Sequence, residues 1–207
     1  MVKKKNTKHW LITAFEPFAG RKQNNSMLVL DEMNKLALAS DLAEQAIEFH
    51  YGVLPVVYDT CFQALDQLEK GLGKQGIHLE GILALGEGAE EFKLETQGAN
   101  LDDVPEVADN SGVKRSEQKI FTDYPVDTPL ALRFPFEAFN RIRTSKNAGF
   151  FVCNHLIAEM SVNYGSSERI PYFGFIHVPK VGSGGMFTPD VCAAVIFNGF
   201  RKLPVLS

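Results

Sequence analysis

Trp10-Leu11-Ile12-Thr13-Ala14, followed by Phe15-Glu16-Pro17-Phe18-Ala19-Gly20, is the stretch that decides the fold. The first run is short and apolar and reads as a buried strand. Pro17 has no N–H to give to a ladder, so the second run is a loop. Asn25-Ser26 then supplies an N-cap for a helix from about Met27 to Ala39. Strand, loop and helix in that order make up the repeating half of a parallel sheet.

The pattern continues along the chain. Ala46 to Val53 reads as a second strand, and Asp59 to Leu72 as a helix with Cys61, Phe62, Leu65, Leu68 and Leu72 on one face. Gly81 to Gly86 is a further apolar strand. Phe136 to Arg143 reads as a helix, and Phe150 to Val152 as a strand end that runs into a helix from Cys153 to about Val162. Tyr172 to Val178 is another strand, Val181 to Gly185 a flexible loop, and Pro189 to Phe200 a last helix with proline near its first turn. The alternation predicts an α/β fold, a single-domain three-layer α/β/α sandwich whose mostly parallel, twisted sheet is covered on both faces. The polar segment from Glu87 to Pro129 interrupts it as a long functional excursion with a small strand or two.

Bulk properties narrow the function. The chain has 207 residues, is 45% hydrophobic and 22% charged, and carries a net charge of −4. One domain over 1–207 is expected, with 1–8 as a flexible basic tail around Lys3, Lys4, Lys5 and Lys8. No global basic field points to nucleic acid. The run after the tail meets Glu16 and Pro17 too soon for a signal peptide, and nothing approaches a membrane span. Three widely spaced cysteines do not make a disulfide framework, and a cytoplasmic location is expected.

Cys153 carries the chemistry in this reading. A thiol in the first turn of a helix meets unpaired backbone N–H groups and the positive end of the macrodipole, and both favour thiolate. His177 in Ile176-His177-Val178-Pro179 offers a base from another strand, and Glu95 a third group to orient it. Phe15 and Phe18, after the first strand, and Phe151 and Val152, beside the thiol, read either as core or as the walls of one pocket. Cys61 and Cys192 read as core residues. Gly71-Leu72-Gly73-Lys74-Gln75-Gly76 has the letters of a dinucleotide loop, but a helix precedes it and a strand follows, the wrong context. Cys153, His155 and His177 lack metal-ligand spacing, so no metal is expected. His9, His50 and His78 fall outside any constellation.

These segments resemble the pyroglutamyl peptidase I (pyrrolidone-carboxylate peptidase) family of cysteine peptidases. The N-terminal signature is similar in Phe15-Glu16-Pro17-Phe18-x-Gly20 and Asn24-x-Ser26, and the glutamate motif in Glu95 with Asn100. Asp109-Asn110-x-Gly112, Asn147-Ala148-Gly149-x-Phe151-Val152-Cys153-Asn154-His155 and Gly174-Phe175-Ile176-His177-Val178-Pro179 follow in the expected order. The resemblance implies a phosphorylase/hydrolase-like fold and removal of an N-terminal pyroglutamyl residue from peptides. It also implies a Glu95–Cys153–His177 triad, a ring pocket of Phe15, Phe18, Phe151 and Val152, no cofactor, and a homodimer or homotetramer. Three departures stand out. The family's Gly-Gly-Arg loop is replaced by the shorter Gly86-Glu87-Gly88-Ala89-Glu90-Glu91; Thr96 and Gly98 alter the glutamate motif; and Lys146 differs upstream of the nucleophile. The competing reading is a catalytically weak or inactive relative that binds ligands on the same fold. A nucleoside phosphorylase is a further rival, which no basic phosphate-binding motif supports.

Overall fold

The computed structural model describes residues 7–39, 46–166, 169–180, 182 and 185–203. Its central sheet has six strands in the order β2-β1-β3-β10-β4-β9. These are β1 (Lys8–Phe15), β2 (Ile47–Leu54), β3 (Leu79–Glu87), β4 (Lys93–Glu95), β9 (Arg143–Ser145) and β10 (Tyr172–Val178). Pairing is parallel except between β10 and β4. Among the described residues, four helices flank it: α1 (Asn25–Ala39), α2 (Tyr58–Lys74), α3 (Val152–Gly165) and α4 (Pro189–Arg201).

Strand alternation sorts the core into two layers. Trp10, Ile12 and Ala14 face α1 and α4 with Leu83, Leu85, Val29 and Phe200. Leu11 and Phe15 face the other way, onto α2 and α3, with Ile82, Phe175, Leu65 and Leu156. Both faces are therefore apolar, which is why the strands read as continuous hydrophobic runs rather than as alternating ones. Each such buried side chain contributes about 1.5–3 kcal/mol over leaving it exposed. The expected three-layer sandwich is what forms, and among the described residues no helix is long and apolar enough to cross a membrane.

Local readings needed correction in several places. Lys8 is not tail: it starts β1, with its ammonium 3.6 Å from Glu80, while residues 1–6 lie outside the described set. Asn24, not Asn25-Ser26, caps α1, because its Oδ1 accepts the Ser26 N–H at 3.0 Å and its carbonyl accepts the Met27 N–H at 3.1 Å. Phe136 to Arg143 is a short 3-10 turn, Phe136–Phe139, followed by β9. Phe150 to Val152 is not a strand, although the Phe150 carbonyl accepts the Asp103 N–H at 3.1 Å; Phe151 is the extended cap residue and Val152 already belongs to α3. The Val181–Gly185 loop lies largely outside the described residues.

The excursion is more ordered than its polarity suggested. It holds β4 and two small ladders, β5 (Gln97–Ala99) with β8 (Pro129–Ala131) and β6 (Asp102–Val104) with β7 (Arg115–Gln118). Side-chain amides replace an apolar core there. Asn100 Nδ2 donates to the carbonyls of Phe121 and Tyr124, and Asn154 Nδ2 to those of Ala99 and Leu101. Gly98 fits because a Cβ there would lie 2.8 Å from Ile157 Cγ2 on α3.

Candidate active site

The cleft opens where the carboxyl ends of β1, β3 and β10 meet the start of α3, the usual place for a site in this class of sheet. It has a volume of about 390 Å³. Cys153, His177, Phe15, Phe18, Phe151 and Val152 all line it. The structure thus brings together the thiol, the imidazole and the four pocket residues picked from sequence. Phe18 and Phe151 meet in its lining with ring centroids 5.8 Å apart and planes tilted by 38°.

Sheet register delivers the carboxylate. β4 runs antiparallel to β10 with Glu95 opposite Phe175 and Lys93 opposite His177. Glu95 therefore shares a face with His177 as its diagonal neighbour. His177 Nδ1 donates to Glu95 Oε1 at 2.8 Å, and Glu95 is fully buried behind the ring rather than in the cleft wall. This bond fixes the tautomer and leaves Nε2 as the acceptor. Lys93 Nζ lies 3.8 Å from the same carboxylate oxygen.

Cys153 is the second residue of α3, whose cap residue Phe151 makes no side-chain capping bond. The first-turn N–H groups are therefore free of a side-chain cap and point toward the cleft end of the helix. Close approach of the neighbouring strand is built in. A Cβ on Gly86 would lie 2.8 Å from Cys153 Sγ, and one on Gly88 would lie 3.2 Å from His177 Cβ. No hydrogen bond joins Cys153 Sγ to His177.

The sequence reading expected the helix start to favour thiolate, and two features of the site act against that. Burial pushes Cys153 up to about 12, and the carboxylates of Glu95 and Glu87 push in the same direction. Both favour the neutral thiol. Of the three acids in the shortened loop, Glu87 lines the cleft, Glu90 is exposed, and Glu91 turns out to Arg143 at 2.6 Å. Glu87 is held by an ion pair with Arg21 and by the Asn25 N–H at 2.7 Å. Arg21 also lies over the Phe18 ring, 4.3 Å from its centroid. A cation thus reaches this corner from the N-terminal loop, although the arginine expected ahead of Glu95 is absent. Sequence reading missed Arg21 because nothing local ties it to Glu87, 66 residues on.

A second cluster was also missed. His155 turns away from the cleft, Nδ1 lying 2.8 Å from Asp102 Oδ2, so Cys153, His155 and His177 do not converge. Arg115 Nη1 donates to the same Asp102 oxygen at 2.7 Å, pairs through Nη2 with Asp59, and stacks 4.4 Å from the Tyr58 ring centroid. This network ties β6 and β7 to α2 and α3 directly behind Phe151.

Residues 8–196 match the family model described as pyroglutamyl peptidase. A pyrrolidone-carboxylate peptidase of Thermosipho melanesiensis is 29% identical over 175 residues, covering 82% of this chain and 81% of that one. Another, from Staphylococcus carnosus, is 29% identical over 192 residues, covering 87% and 82%. Among solved structures, the pyrrolidone carboxyl peptidase of Thermus thermophilus superposes with a TM-score of 0.73 at 24% identity, covering 94% of this chain and all (100%) of that one. Pyroglutamyl peptidase I of Bacillus amyloliquefaciens gives 0.70 at 22% identity, with 93% of each covered.

Proposed function

The chain belongs to the pyroglutamyl peptidase family, and from that premise we propose that it is a cysteine exopeptidase releasing the N-terminal pyroglutamyl residue of peptides, with Cys153 as nucleophile, His177 as general base and acid, and Glu95 as the group that orients His177. The observation that carries this reading is the buried 2.8 Å bond from His177 Nδ1 to Glu95, with Nε2 left for the thiol that lines the same cleft.

The steps follow from the protonation states. Burial and the carboxylates of Glu95 and Glu87 favour the neutral thiol, so in this reading its proton passes to His177 in the attacking step. His177 takes that proton while Cys153 attacks the pyroglutamyl carbonyl. The imidazolium is stabilised by Glu95 and returns the proton to the leaving amine. Water then attacks the thioester, with His177 again as base. First-turn N–H groups of α3 are suited to hold the oxyanion, because they gain most when charge develops on the substrate oxygen. Phe15, Phe18, Phe151 and Val152 offer the lactam an apolar slot that a charged N-terminal glutamate could enter only by losing its hydration.

The test is release of a fluorescent amine from a pyroglutamyl amide, with Cys153→Ser as the control. Turnover that vanishes in the variant is the expected result. Absence of turnover from folded protein between mildly acidic and mildly basic pH would overturn the assignment.

A further inference from the structure

At the opposite end of the sheet from the cleft, two histidines dismissed on sequence grounds come together with a carboxylate. His9 is the second residue of β1; Glu48 and His50 lie two apart on the edge strand β2. The parallel register places His9 opposite Glu48 and Leu11 opposite His50. Side chains alternate along a strand, so all three project from one face. His9 Nδ1 lies 3.1 Å from His50 Nε2 and 3.7 Å from Glu48 Oε2. One ligand atom from each residue falls within 4.8 Å of the others.

We propose that His9, Glu48 and His50 form a binding site for a borderline divalent transition-metal ion of the Zn(II) class, clipping the edge strand β2 to β1. Two imidazoles and one carboxylate are the donor set that such ions prefer, with water in the remaining position. Bonds of 2.0–2.1 Å in a tetrahedron place ligand atoms about 3.4 Å apart. The His9 pairings are already within a few tenths of an ångström of that spacing. The longer gap closes by rotation of Glu48, whose side chain is 58% exposed. A hydrogen bond between two imidazoles would account for His9 and His50 but gives Glu48 no part.

The site is independent of the proposed peptidase chemistry. His9 and Phe15 are six residues apart on one strand, about 20 Å. An ion bound here stabilises the folded state by mass action, holding a strand that among the described residues has a strand partner on one side only.

The experiment uses untagged, metal-free full chain carrying Cys153→Ser, titrated with Co(II) and then with Zn(II). The Ser substitution removes the cleft thiol as a competing ligand. The expected result is one Co(II) per chain, with visible bands of nitrogen and oxygen ligation, displaced by Zn(II). Zn(II) should raise the melting temperature. His50→Gln and His9→Gln, which keep hydrogen-bonding capacity, should each weaken binding by about tenfold or more and abolish the Zn(II) shift. No saturable binding, or binding unchanged in either folded variant, would overturn the proposal; the second outcome would put the ion elsewhere, for instance on His177 and Glu95.

Discussion

His177 and His155 each hold Nδ1 at 2.8 Å from a buried carboxylate, Glu95 in one case and Asp102 in the other. The two pairs have the same nitrogen–oxygen distance. What differs is everything else the pair touches. Asp102 also receives Arg115, which is itself shared with Asp59, and the second nitrogen of His155 faces only Glu159 at 3.9 Å. His177 opens onto the cleft that Cys153 lines. A histidine–carboxylate pair is thus a site only where the remaining ring nitrogen meets a reactive partner. With a guanidinium on the same carboxylate, it becomes a clamp that holds the excursion against α2 and α3.

Substitutions should separate the two. Cys153→Ser should lower hydrolysis by at least about ten-thousandfold while leaving the melting temperature nearly unchanged, since the side chains are close in size. Asp102→Leu should do the reverse. Stranding buried Arg115 beside an apolar residue should cost about 3 kcal/mol in urea unfolding, with kcat per folded molecule largely kept. If Asp102→Leu abolished turnover without loss of stability, the clamp reading would fail. Glu95→Gln comes next, with a fall of about a hundredfold or more in kcat and a smaller change in KM, because the amide can no longer stabilise the imidazolium.

The same contrast explains how much could be read from the sequence. Trp10 to Ala14 and Tyr172 to Val178 were legible because burial on both faces demands unbroken apolar runs, and strands of that kind stand out. Cys153 and His177 were legible as residue types at element ends. Arg115, Asp102 and Arg21 were not. Their partners lie 13 to 66 residues away, and a polar excursion held by amides and ion pairs has no hydrophobic period to reveal it. His9 and His50 were hidden likewise, because only the register of β1 on β2 brings them to 3.1 Å. The helix expected over 136–143 failed for a related reason. Phe136 and Phe139 have helical spacing, yet that spacing serves to pack a single turn against Phe134 and Phe200.

The smallest effect tests the electrostatics of the cleft itself. Cys153 is raised to about 12 by burial first, then by Glu95 and Glu87. Its alkylation rate in the unliganded protein should therefore climb with pH through the alkaline range, instead of levelling off near the ordinary thiol value of about 8.5. Below that raised value, the thiolate fraction grows about tenfold per pH unit, so anything that lowers it speeds the reaction at every such pH. Glu87→Gln removes one of the raising charges and keeps an acceptor for the Asn25 N–H. It should quicken alkylation several-fold, helped by an Arg21 whose charge is no longer neutralised. A rate that levels off near neutral pH would mean that Cys153 and His177 already exist as an ion pair. Glu95 would then stabilise a resting imidazolium, and the contrast with the Arg115-neutralised Asp102 would rest on net charge rather than on what each ring faces.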